Sequence, residues 1–147
     1  MAATKSPLMR LGHIRDEIAN LLPLFAGVDY AAFASSYSMV RTTERAILII
    51  AEAAKALPAE LTANYPEIEW HAVRGIGNIL RHEYERVETA VLWRVVTESL
   101  PELATVIDRM IRDLKKMSAC DKSQARDRRR LVAWPCTYSR SARLIRV

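Results

Sequence analysis

The sequence predicts an all-α fold, an up-and-down bundle of four main helices. Apolar residues recur at spacings of three and four over most of residues 8–114, which lines them up on helix faces. Only 4 Gly and 6 Pro occur in 147 residues, too few for the many turns of a β-sandwich or barrel. Hydrophobic residues make up 50% and charged residues 27%, the balance of a globular chain able to bury one core.

Leu11, Ile14, Ile18, Leu21 and Phe25 share one face of a first helix. Pro7 suits its first turn and Gly27 follows as a stop. Asp29 can cap a short turn through Ala34. Ser36 or Ser38 then caps a longer helix to about Leu57, where Pro58 forbids continuation. Val40, Ile47, Ala51 and Ala54 lie on one side of it. Its middle, Ala46 to Ala51, is apolar almost all round, the pattern of a segment buried between several helices or between protomers.

Pro58 to Pro66 reads as a short helical turn and a loop, and Glu67 to Trp70 lead into a third helix through about Leu80. Within it, Gly75 and Gly77 each cost roughly 1 kcal/mol relative to Ala. Either another backbone approaches closely there, or the helix end is frayed or kinked. The last long helix starts near Val87 or Glu88 and runs to about Met117, with Leu92, Val96, Leu103, Ile107, Met110 and Leu114 on its inner side. Pro101 should bend it or split it in two. These helices make residues 1–117 one domain.

Charge divides sharply along the chain. Of 22 basic and 17 acidic residues, ten and two fall in residues 115–147, so this tail carries +8 and the body −3. Periodicity fades beyond Lys116, and residues 118–147 are expected to be a disordered basic tail. With Trp134 and Tyr138 it could add weak, salt-dependent affinity for RNA. Cys120 and Cys136 form no ligand cluster, and neither a metal site nor a cofactor is expected. No apolar run is long enough to cross a bilayer, because Glu52 and Lys55 close off Ala46–Ala51. No hydrophobic signal core precedes the first helix, and a cytoplasmic location is expected.

Three histidines are present. His13 lies on a surface-patterned part of the first helix and His71 at a helix start, and both read as structural or solvated. His82 is crowded by Arg81, Glu83, Tyr84, Glu85 and Arg86 at a helix end. Taken alone, that cluster reads equally as a solvated helix terminus.

Several segments together carry a resemblance. Leu57-Pro58-Ala59-Glu60-Leu61, Tyr65-Pro66-Glu67-Ile68 with Trp70, Ile76-Gly77-Asn78-Ile79-Leu80-Arg81-His82-Glu83-Tyr84, and Leu100-Pro101-Glu102-Leu103 follow one another in order. Over about residues 7–115 the chain resembles the HepT-like members of the HEPN superfamily. The resemblance implies a HEPN-type helical bundle and a metal-independent endoribonuclease acting on RNA, and the His82 and Tyr84 pair with the apolar second helix suggests a homodimer. The resemblance further implies the toxin of a type VII-like toxin–antitoxin pair, whose partner is a small nucleotidyltransferase antitoxin that silences it by AMPylation of a tyrosine.

The family signature places an Arg about five positions ahead of a His and a Tyr two beyond it. His82 and Tyr84 match, with Tyr84 as the implied modification site, whereas Gly77 stands at the Arg position. Metal-free RNA cleavage needs a group to take the 2′-hydroxyl proton and a cation to stabilise the crowded phosphate. His82 suits the first task. For the second, Arg74 and Arg81 are the available cations, and Arg74 is slightly favoured because Arg81 could serve instead as a surface phosphate contact alongside Arg86. Asn78 could orient His82 or a phosphate, or cap a kink. Glu52 could pair with Arg74 or simply be solvated. The alternative function is a catalytically weak HEPN-fold binding partner of a nucleotidyltransferase, motivated by Gly77; a third is a generic four-helix protein whose tail binds nucleic acid.

Overall fold

The computed structural model describes residues 6–82 and 87–131, with side chains to residue 119. Every regular element among them is helical. Helix α1 spans Pro7–Leu21, capped by Ser6, whose hydroxyl accepts from the Met9 amide at 3.3 Å, with Pro7 in the first turn. It buries Leu11, Ile14, Ile18 and Leu21. A 3-10 turn at Leu22–Phe25 follows, and the chain reverses through Gly27, whose φ of 73° is strained for residues with a Cβ.

The two expected caps are formed. Asp29 accepts from the Ala32 amide at 2.8 Å and opens α2 (Tyr30–Ser35), and Ser36 accepts from the Met39 amide at 3.4 Å and opens α3 (Tyr37–Lys55). In the apolar middle of α3, Ala46, Ile47, Ile50 and Ala51 are buried, while Leu48 and Ile49 stay half-buried. A short α4 (Ala59–Ala63) and a loop lead to α5 (Trp70–His82). That loop is pinned: the Trp70 indole donates to the Tyr65 carbonyl at 3.0 Å, and the Tyr65 hydroxyl donates to Asp113 at 2.8 Å. Arg109 lies 5.2 Å over the Tyr65 ring and pairs with Glu67. The conspicuous segment from Tyr65 to Trp70 therefore fixes where α5 begins.

Helix α6 (Thr89–Arg94) passes through a π-helical turn at Val95–Ser99 into α7 (Leu100–Leu131). The expected effect of Pro101 thus takes a specific form. Its ring cannot donate to the helix ladder and would press on the carbonyl four residues back, and the wider π turn just ahead relieves both demands. Val96, Leu100, Leu103, Ile107 and Met110 on this segment join Leu11, Ile14, Ile18 and Ile50 in one core.

Helix α7 is described as far as Leu131, past residue 118, where the basic tail begins. Ala, Lys, Gln and Arg are good helix formers and no Gly or Pro interrupts them, so local propensity can sustain a helix without an apolar face. Residues 115–147 form a unit of their own, of which 132–147 lie outside the described residues.

Helices α3 and α5 make the tightest crossing. They run antiparallel, Gly77 is buried at the crossing, and a Cβ built on it would stand 2.6 Å from the Ala51 Cβ. Gly75, two residues earlier, has nothing within 4 Å of such a Cβ. Of the two readings of the paired glycines, close approach holds for Gly77 and packing gives no reason for Gly75. The two positions should therefore respond oppositely. Gly77→Ala should destabilise by about 1–3 kcal/mol because the helices must separate. Gly75→Ala should stabilise by roughly 0.5–1 kcal/mol through the lost freedom of the unfolded chain. Urea unfolding followed by circular dichroism reads both.

Candidate active site

The crossing at Gly77 sets the level at which polar side chains of α3 and α5 meet. One turn along α5 from Gly77, the Arg81 guanidinium reaches Glu52 of α3 at 2.7 Å. Lys55 also bonds Glu52, at 2.9 Å, and donates to the Asn78 side-chain oxygen at 2.5 Å. Four side chains from two helices thus form a connected network. The Glu52 carboxyl is held below its ordinary value of 4.5, chiefly by the Lys55 hydrogen bond; partial burial opposes this, and the charges of Arg81 and Lys55 add to it. Glu52 is therefore charged wherever RNA is handled near neutrality. The stabilisation this pairing brings is present above the ordinary value and is lost as pH falls through the depressed one.

Helical geometry orders these groups around α5. Arg81 lies four residues after Gly77, an angular offset of roughly 40° at one turn's distance. Asn78 follows on the same flank, and His82, four residues after Asn78, lies roughly 40° further round. His82 is exposed at the last residue of α5. Arg81 and His82 still diverge by about 100°, because α5 stays helical through both. The helix is unbroken across Gly75 and Gly77.

Arg74 has a different place. Its Nε donates to the Ala54 carbonyl at 3.3 Å and its Nη2 to the Thr62 hydroxyl at 3.2 Å. It is half-buried and ties the C-terminal end of α3 to α4, adding a side-chain donor to the Ala54 carbonyl, which also accepts from the Leu57 amide at 3.2 Å. Eight residues separate it from His82, about 12 Å of axial rise. The Glu52–Arg74 pair considered from the sequence is not formed; Glu52 takes Arg81 and Lys55 instead. Tyr84 and Arg86 lie outside the described residues.

The network opens on a cleft of about 690 Å³, bounded by Arg10 and His13 of α1, Arg45, Glu52 and Lys55 of α3, and Arg81. The sequence gives no signal that singles out Arg10 or Arg45, and His13 reads from it as structural or solvated. The crossing of α1 over α3 brings them together, and no periodicity within either helix announces it. A second, apolar pocket of about 390 Å³ on the other side of α5 has Ile47, Ile50, Val73 and Ile76 in its wall and Glu67, Glu69 and Glu102 at its edge. Among the described residues, no group of three His, Cys, Asp or Glu is placed to share a metal ion, and no helix is long and apolar enough to cross a membrane.

The pattern of the HepT-like family, described as "Ribonuclease HepT-like", matches residues 14–110. The chain belongs to this family. It is 28% identical over 111 residues to "Putative RNase TTE0752" of Caldanaerobacter subterraneus subsp. tengcongensis, covering 76% of this chain and 99% of that one. It is 27% identical over 81 residues to "Putative RNase MJ1380" of Methanocaldococcus jannaschii, covering 55% and 74%. A shorter match reaches 39% identity over 59 residues with "Probable ribonuclease HepT" of Thermococcus cleftensis, covering 40% and 54%. No solved structure matches the chain. The HepT-like match takes in α3, α5 and the network between them.

The two arginines should separate in a stability measurement. Arg74→Ala should cost about 1–2 kcal/mol, since its hydrogen bonds are part-buried and join two elements. Arg81→Ala should cost less than about 1 kcal/mol, its ion pair being exposed. Chemical denaturation of the two variants checks the order.

Proposed function

We propose that this HepT-like chain is a metal-independent endoribonuclease in which His82 and Arg81 work together, and that it is the toxin of a pair with a nucleotidyltransferase antitoxin. The observation that carries the reading is the position of Arg81. It stands one turn after the close-packed Gly77, on the same flank of α5, next in sequence to an exposed histidine. The relatives named as RNases and the family description support the activity.

In this reading the His82 imidazole accepts the proton of an RNA 2′-hydroxyl as its oxygen attacks the neighbouring phosphorus. The bond to the 5′-oxygen breaks, that oxygen leaves with a proton from solvent, and a 2′,3′-cyclic phosphate remains. Arg81 exchanges Glu52 for a phosphate oxygen and stabilises the charge that builds there. Asn78, bound by Lys55 and lying between Arg81 and His82 around the helix, positions the phosphate. Arg74 serves the fold. A two-fold homodimer would set two His82 residues across one cleft for single-stranded RNA. AMP on Tyr84, added by the antitoxin, would place negative charge beside that surface and repel substrate.

Gel analysis of RNA incubated with the purified protein in EDTA tests this. Wild type should cleave; His82→Ala should be slower by about 10²–10⁴-fold. Arg81→Ala should lose about 10²–10³-fold, while Arg74→Ala should keep most activity if folded. Equal cleavage by wild type and His82→Ala would leave the alternative supported by Gly77, a catalytically weak binding partner of the transferase. After incubation with the transferase and ATP, intact-mass analysis should show AMP adducts that disappear in Tyr84→Phe.

A further inference from the structure

The cleft beside the catalytic network holds more positive charge than the reaction needs. Arg10, Arg45, Lys55 and Arg81 line it from three helices, with His13 among them and Glu52 the sole acid in its wall among the described residues. The concentration is not a by-product of overall composition, because residues 1–114 carry a net −3. Glu52 is already engaged, by Lys55 at 2.9 Å and Arg81 at 2.7 Å, in pairs whose side chains are 28–45% exposed. Such exposed pairs gain little and exchange readily for another anion. A phosphate offers the two cations the same kind of oxygen partners as the Glu52 carboxylate.

The shape also suits a chain of phosphates better than a single ion. From Arg45 to Lys55 is about 15 Å along α3, room for about four stacked nucleotides at roughly 3.4 Å each. Half-buried Leu48 and Ile49 form an apolar floor between the charges, on which a base can lie. The apolar pocket on the other side of α5 carries Glu67, Glu69 and Glu102 and would repel the same polymer.

We propose that this cleft is the track for single-stranded RNA: successive phosphates lie along Arg45, Arg10 and Lys55, one of them displaces Glu52, and Arg81 is the cation shared with the reaction at His82. His13 becomes a contact to the polymer rather than an idle surface residue. The proposal rests on the ribonuclease reading and adds to it where the substrate lies.

Fluorescence anisotropy of a labelled 2′-O-methyl oligoribonucleotide, which cannot be cleaved, with the full chain tests the track apart from the chemistry. Arg45→Glu should weaken binding about tenfold at low salt and flatten the slope of log K against log salt by about 0.7 per lost contact. Arg45→Gln should move both readouts in the same direction by less, and Glu52→Gln should tighten binding. Arg94→Glu, an exposed charge reversal on α6 outside the cleft, should stay within about twofold of wild type. The track is overturned if Arg45→Glu and Arg94→Glu weaken binding alike, or if Arg45→Glu leaves affinity and slope unchanged but alters the sedimentation of the free protein, which would make the cleft a contact between copies. Either result alongside inactive His82→Ala would remove the track and leave the ribonuclease reading standing.

Discussion

Between α3 and α5 the backbones approach so closely that a single methyl group would not fit: a Cβ on Gly77 would stand 2.6 Å from that of Ala51. This contact sets the spacing of the two helices and therefore which polar groups can reach across. One turn towards the end of α5, Arg81 meets Glu52; on the other side of the contact, Arg74 meets the Ala54 carbonyl near the end of α3. With the helices pushed further apart, Glu52, Lys55, Asn78 and Arg81 could not form one network. The exposed face would then be a set of separate solvated charges, each contributing little.

The same contact gives a physical account of the chain's departure from the signature it resembles. An arginine at position 77 would have to pass through the space that Ala51 fills. Tight packing at that position and a cation at that position exclude each other. A cation four residues later keeps nearly the same direction around α5 and clears the crossing, because the neighbouring helix offers Glu52 there rather than a methyl group. Glu52 orders Arg81 and Lys55 without burying them. Since the carboxyl is held in its charged form, the two cations are kept in place yet remain available to a stronger anionic partner.

Much of the fold was legible because it is local. Ser6, Asp29 and Ser36 are caps by chemistry and spacing alone, and Leu11, Ile14, Ile18 and Leu21 show their face through periodicity. The end of α7 is set differently, since Ala, Lys, Gln and Arg favour a helix to Leu131 where no apolar pattern marks one. The candidate site was half legible. His82, Arg81 and Asn78 stood out as a dense polar run, but what Arg74 and Arg81 each bond was not legible, because it depends on the neighbour each one faces. Both lie on the same flank of α5, and only the antiparallel pairing with α3 puts a helix end beside one and a carboxylate beside the other. Arg10, His13 and Arg45 were illegible for the same reason: the cleft they share exists only once α1 lies across α3.

The central claim is that Arg81, set by the Gly77 contact, acts on the same reacting phosphate as His82. Single-turnover RNA cleavage by His82→Ala, Arg81→Ala and the double variant measures this coupling directly, because groups that act as a unit are not additive. The account predicts a double variant no slower than His82→Ala alone. Losses that multiply, so that the double variant falls below His82→Ala by the full factor of Arg81→Ala, would show that the two residues act independently and contradict it.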